Sequence, residues 1–301
     1  MQLTKTSNAK SAVAAPKLKL AGRRTLFMTL IYLLLAAWTV AVVFPMIWSV
    51  VNSFKTDRAI FFDPWALPDQ IRFDNWERAW TSARIGEFFA NTLIVVVPAL
   101  TLTLLFASMV AYVIACFEFR GRGIVFSVFV AGMMFPIFLG LVPLYLITQD
   151  LHLRNSFIGL ILVYIAYSLP FTVFFMTGFF RGIPRDFLEV SAVDGANHYQ
   201  TFFRIMLPMA RPGLVSVGIF NFISMWNQYI LPTIMIDSAM EGERTKYVLA
   251  QGLYYLQAKQ QFANDWSGLF AAVTIVMVPT MIVYALFFNR IQGGFAGALK
   301  G

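Results

Sequence analysis

Six long apolar stretches dominate the chain, separated by segments that hold all of its charge. They run over 26–51, 91–117, 124–147, 157–180, 213–236 and 268–288. Each has the roughly 20 residues that a helix rising about 1.5 Å per residue needs to cross about 30 Å of hydrocarbon. None contains Asp, Glu, Lys, Arg or His. A charge at a helix centre costs about 2.5–3.5 kcal/mol on insertion scales, so their absence supports every assignment. The pattern predicts an all-α integral membrane protein with six transmembrane helices. The first stretch is too long for a signal-peptide core and ends on no small-residue cleavage site, so it reads as a retained span. Every stretch carries proline: Pro45, Pro98, Pro136 with Pro143, Pro170, Pro232 and Pro279. Proline removes a backbone donor and kinks a helix, which membranes tolerate where neighbours or water satisfy the freed carbonyl.

Composition agrees with the pattern. Of 301 residues, 59% are hydrophobic and 13% charged, too few charges to cover a soluble surface. The single cysteine, Cys116, excludes a disulfide framework and a cysteine-based metal site.

The net charge of +8 resolves into a topology once it is divided between the two sides. The leader, the 2–3 and 4–5 connections and the tail hold 14 basic residues against four acids; the opposite side holds 9 against 11. The predicted arrangement is a basic cytoplasmic segment (1–24), a six-helix transmembrane domain (25–290) and a cytoplasmic tail (291–301). Both termini then face the cytoplasm, and the basic excess marks orientation rather than a nucleic-acid surface. Two outside connections are long. The first predicts a short helix over 74–80 with Asp74 as its N-cap. The second is rich in Tyr and Gln. Interfacial packing and docking of an external partner both remain open for them.

Several chemistries are missing. There is no G-x-x-x-x-G-K-[ST], and no Gly-Lys dipeptide at all, so the chain has no P-loop for ATP. There is no H-E-x-x-H or G-x-S-x-G, and His152 and His198 fall on opposite sides of the predicted membrane. No catalytic residue or resident cofactor is predicted. Proton-coupled transport loses its usual support, because no ionisable group lies in a span.

The connection between spans four and five reads IPRDFLEVSAVDGANHYQTFFRIMLPMARPG. Pro184 suits a first helical position, and Asp186 and Glu189 favour the positive end of that helix. Gly195 interrupts the pattern, and a second helix follows over 198–206. Phe187, Ser191 and Ala192 are predicted to share one face; Phe202, Ile205 and Met206 share another. Two short amphipathic helices need a surface to bury against: their own spans, the membrane or a soluble partner.

These residues resemble the cytoplasmic signature of ATP-binding-cassette importer permeases: E-A-A, three residues, G, nine residues, I-x-L-P. Glu189, Gly195, Ile205, Leu207 and Pro208 stand at that spacing, and Val193-Asp194-Gly195-Ala196 is similar to the I-D-G-A of sugar importers. Val190 and Ser191 replace the two alanines. Trp226-Asn227 and the ending Gly297-Ala298-Leu299-Lys300-Gly301 also look like the smaller permease of maltose-type importers. The resemblance implies a type I importer fold, a second homologous permease, two ATPase subunits that hold ATP and Mg, and an external solute-binding protein. It implies a coupling role, within helices spanning about 184–207, for Glu189, Ser191, Ala192, Asp194, Gly195, Ala196, Ile205, Leu207 and Pro208. A sugar is the favoured solute; a polyol or glycerol phosphate is the alternative.

In span five, Asn221, Ser224 and Gln228 fall at i, i+3 and i+7, one face of a continuous helix. Amides and a hydroxyl suit a hydroxylated solute, but the same groups also serve as hydrogen-bonding glue between helices. Trp226 and Asn227 lie off that face, where a partner interface is the expected use. A stand-alone secondary transporter or channel is the rival reading. It calls for inverted repeats between the halves, and none is visible.

Overall fold

The computed structural model describes residues 18–237, 245–263 and 265–298. The basic leader up to residue 17, residues 238–244, residue 264 and the last three residues lie outside them. The chain divides into two units, 1–49 and 50–301. The first is the bulk of helix α1 (Leu18–Asn52), which contains Pro45. The Ser49 hydroxyl donates to the Pro45 carbonyl at 2.8 Å, a local bond that keeps a polar side chain satisfied on an apolar helix.

The second unit begins with two short helices, α2 (Asp57–Phe62) and α3 (Asp74–Trp80). The α3 bounds match the expectation, but its N-cap does not. Phe73 occupies that position and its carbonyl accepts from the amides of Trp76 and Glu77. Asp74 lies in the first turn and pairs instead with Arg78 at 2.8 Å. Helix α2 is not evident from the sequence. Its C-terminal end is held by Lys55, only 2% exposed, whose Nζ donates to the carbonyls of Asp63 and Pro64. Burial pushes the Lys55 pKa down, with Asp63 opposing the shift. Asn75 donates to the carbonyls of Ser53 and Lys55, both at 2.8 Å, which ties α3 to the same strip of chain.

Two long helices, α4 (Ile85–Cys116) and α7 (Phe157–Arg181), form the most extensive packing in the unit. Val95, Val96 and Ala99 meet Leu160 and Val163 in one core cluster, while Ala111 and Ala115 meet Phe175, Met176 and Phe180 in another. Small residues on α4 let the helices approach closely, which is how apolar helices gain van der Waals contact in a solvent as apolar as themselves.

The third apolar stretch is not one helix. It splits into α5 (Arg122–Met134) and α6 (Ile137–Asp150), bent by 102°. The cause is local: Pro136 has no N–H to donate, and it forces Phe135 into an extended conformation (ψ 118°). After α7 come α8 (Asp186–Val193), α9 (His198–Thr201), a π-helical turn over Phe202–Met206, and α10 (Leu207–Met209). The fifth stretch also divides, into α11 (Arg211–Trp226) and α12 (Ile230–Met235). The segment His198–Met209 meets α11 at 74°.

Helix α13 (Leu249–Ala263) lies in what the sequence shows only as a Tyr- and Gln-rich connection. Long-range bonds fix its start: Thr92 Oγ1 accepts from the Leu249 amide at 2.7 Å, and Asn91 donates to the carbonyls of Thr245 and Tyr247. Helix α14 (Trp266–Ala298) completes the unit. Asp265 and Ser267, at its start, both accept from Arg78, and the Ser267 amide donates to Asp57. The short helices and α14 are thereby tied together. Arg78 is partly desolvated, yet its bonds and attraction to Asp265 and Asp74 outweigh that and raise its pKa.

Among the described residues, four helices are long and apolar enough to cross a membrane alone, and up to six spans exist if each bent pair counts as one.

Candidate functional site

The α8–α9 turn is held by two interlocking caps. At the end of α8 the Ala196 amide donates to the Ser191 carbonyl at 3.0 Å, and the Gly195 amide to the Ala192 carbonyl at 3.1 Å. This pair of bonds is a Schellman motif, and it requires a left-handed residue between its two arms. Gly195 supplies it with φ +75°. A Cβ at Gly195 meets nothing within 4 Å, so its requirement is conformational and not one of space. Two residues later a capping box opens α9. Asn197 Oδ1 accepts from the Gln200 amide at 2.9 Å, and Gln200 Oε1 accepts from the Asn197 amide at 3.0 Å.

The predicted face of α8 differs from the observed one. Ser191 is buried and Leu188 half-buried, but Phe187 and Ala192 are exposed. Side chains of α8 separated by three residues therefore turn inward at 188 and 191, with 187 and 192 flanking them. Ser191 donates to the Leu188 carbonyl at 2.8 Å and accepts from Thr201 at 3.2 Å. Glu189, Val190, Ala192, Val193, Asp194 and Gly195 are exposed, Val193 to 88%.

The second helix, expected over 198–206, forms there with a wider turn at its end. The Leu207 amide donates five residues back to Phe202. Pro208 follows, with no N–H to offer the carbonyl four residues earlier, and the looser register accommodates it. Phe202 and Met206 are buried against Tyr112, Ala111 and Phe180, while Ile205 is only half-buried. Phe117 packs edge-on against His198 at 5.3 Å, and Tyr112 lies tilted against Phe202 at 5.2 Å. Leu207 packs on the same cluster; Ala196 is half-buried and Pro208 exposed. The α8–α9 unit thus sits on the end of α4, and Arg185 adds a solvent-exposed ion pair to Glu118 at 3.4 Å.

The polar stripe expected on span five does not form. Helix α11 ends at Trp226, so Gln228 falls in the break, where its Oε1 accepts from the Ile230 amide. Asn221 is buried and donates to Thr172 Oγ1 at 2.8 Å, an interhelical bond to α7. Ser224 is exposed. Trp226 serves no partner interface: it is 2% exposed, stacks on Phe222, and its indole N–H donates to the Val276 carbonyl of α14. Thr172 and Thr201, the partners of Asn221 and Ser191, lie 49 and 10 residues away in sequence, and no local pattern marks them. No group of three or more His, Cys, Asp or Glu able to hold a metal occurs among the described residues.

Residues 103–295 match the model of the binding-protein-dependent transport system inner membrane component. The chain belongs to this family. It is 45% identical to the diacetylchitobiose uptake system permease protein NgcG of Streptomyces coelicolor, over 89% of this chain and 87% of that protein. It is 34% identical to the probable ABC transporter permease protein YurM of Bacillus subtilis, over 91% and 89%. In fold it matches a bacterial ABC transporter involved in import of the acidic polysaccharide alginate, with TM-score 0.75, 22% identity, and coverage of 88% and 96%. The protein is therefore a multi-pass membrane permease subunit of a binding-protein-dependent transport system, and not an enzyme. In such systems ATP hydrolysis resides on a separate subunit.

Proposed function

We propose that this permease imports a sugar or short oligosaccharide, forming half of a translocation pathway with a second homologous permease. Relatives named for a solute support the class: diacetylchitobiose for NgcG and DasC, arabinooligosaccharides for AraQ, starch degradation products for AmyC and sulfoquinovosyl glycerol for SmoH. Two ATPase subunits, which hold ATP and Mg, drive it from the cytoplasmic side, and an external binding protein delivers the solute. Both termini face the cytoplasm, a reading that the Lys/Arg distribution supports.

The exposed surface of the α8–α9 unit carries the coupling. Glu189, Val190 and Val193 stand free on α8, and Asp194 and Gly195 form its tip. Phe202, Met206 and Leu207 seat the unit on α4, Ser191 ties its two helices together, Ala196 and Ile205 are half-buried beside them, and Ala192 and Pro208 stand at its exposed edge. Two short helices joined by a turn that is capped on both sides move as a rigid lever, so closure of the ATPase pair reaches the spans without being lost in loop flexing. Alternating access follows if ATP binds one arrangement of the permease pair more tightly than the other. Along span five, Ser224 and Gln228 remain available to the solute, whereas Asn221 is used by Thr172.

The observation that carries this reading is the doubly capped turn at Gly195 with an exposed apolar and acidic face beside it. The experiment is uptake of labelled N,N′-diacetylchitobiose and maltose by vesicles containing the full transporter and its binding protein. ATP-dependent uptake of either sugar is expected. A cysteine placed in the 52–90 connection should react from outside in intact cells; reaction only after lysis would reverse the topology and remove the coupling assignment.

A further inference from the structure

A recess of about 480 Å³ opens where α10 turns into α11, lined by Pro208, Met209, Arg211, Pro212, Val215 and, from α14, Phe287. It lies at the same end of the helices as α8, where α11 begins and the apolar part of α14 finishes at Phe287. Five of its six lining residues are apolar, and one is a guanidinium. Arg211 is exposed, and no hydrogen bond, ion pair or ring contact engages it among the described residues.

The surrounding sequence has one sign of charge. No Asp or Glu occurs between Asp194 and Asp237, and none after Asp265. Arg204 and Arg211 lie within that acid-free stretch. The recess thus pairs apolar walls with a cation that lacks an anion, at the level where a span leaves hydrocarbon. The positive end of α11 adds the same sign.

The geometry points to this recess as a binding site for an anionic phospholipid, its phosphate on Arg211 and its acyl chains against Val215 and Phe287. A guanidinium presents planar donors that match phosphate oxygens two at a time. Its stem covers apolar surface while its head reaches the polar boundary. A soluble anion would satisfy the charge and leave the walls bare; a zwitterionic lipid would cover the walls without neutralising the charge. The site adjoins Pro208, so a lipid there braces the hinge between the α8–α9 unit and span five.

The test is native mass spectrometry of the assembled transporter released from nanodiscs of mixed phosphatidylglycerol and phosphatidylcholine, paired with a photoreactive benzophenone residue at Val215. The wild-type complex should retain phosphatidylglycerol in preference to phosphatidylcholine, and the benzophenone should cross-link to it. Arg211→Gln should weaken that preference about fivefold, the effect of one basic contact at an anionic surface, and Arg211→Lys should keep most of it. An unchanged preference in Arg211→Gln overturns the proposal. So does displacement by inorganic phosphate, which would make this a soluble-anion site, or a cross-link to another protein subunit, which would make it an interface.

Discussion

Thr201 donates its hydroxyl to that of Ser191 at 3.2 Å, joining the two short helices across a turn of left-handed backbone. Ser191 replaces an alanine of the importer signature, and the pair accounts for the departure. A serine buried to 3% exposure needs partners, and it has two: the Leu188 carbonyl and Thr201. Ser191→Ala should cost about 1 kcal/mol, the net worth of a typical hydrogen bond, and leave uptake intact. Adding Thr201→Ala should cost less than the sum of the two single changes, because the bond is already gone. Thermal unfolding of the four variants measures the cycle, and strict additivity would show that the bond contributes nothing.

Gly195 separates conformation from space. With nothing within 4 Å of an added Cβ, the penalty for substitution comes only from φ +75°, about 1–2 kcal/mol for a residue with Cβ. Gly195→Asn should therefore be tolerated, since Asn visits this region readily, whereas Gly195→Val should abolish uptake and release the ATPase in pull-down. Equal behaviour of the two variants would mean that size at the partner surface, and not backbone conformation, sets the requirement.

Trp226 is a packing residue at the C-terminal end of α11. Trp226→Ala removes a fully buried ring and should destabilise by about 3–5 kcal/mol, enough to prevent accumulation of the protein in the membrane. Trp226→Phe keeps most of the apolar contact with Phe222 and Phe89 and loses only the bond to Val276, so it should accumulate and transport. Membrane abundance by immunoblot, followed by uptake, distinguishes the two.

Lys55 sets a pH dependence in the segment outside the spans. Its pKa is lowered by burial, so the folded state binds its proton less tightly than the unfolded chain does. Stability then rises with pH as the folded pKa is passed, up to the ordinary lysine value of 10.5. The neutral amine keeps two N–H groups, enough for both carbonyl bonds. Wild type should gain thermal stability relative to Lys55→Met as pH is raised from neutral towards 10; a shrinking difference would contradict the sign.

Membrane residence, the apolar stretches and the spacing from Glu189 to Pro208 are legible in the chain, because each rests on local composition or short-range order. The helix over 74–80 and the second short helix are legible for the same reason. The break at Phe135 is half-legible: Pro136 is visible, but a proline inside an apolar run bends a helix by an amount that its neighbours set, here 102°. Nor can periodicity show that α11 stops at Trp226, since Asn227, Gln228 and Tyr229 continue the same polar and aromatic rhythm. The break combines a tertiary contact with a local one: Trp226 is held by α14, and the Gln228 side chain bonds the Ile230 amide two residues on to begin α12. Helix α13 escapes a sequence reading because Asn91 and Thr92, some 150 residues earlier, position its start. The assignment of Asn221 turns on Thr172, which only the packing of α11 on α7 brings within 2.8 Å. Local propensity and hydropathy decide where this chain enters lipid; contacts between residues distant in sequence decide which of its polar groups are spent on the fold and which remain for the solute, the ATPase and the bilayer.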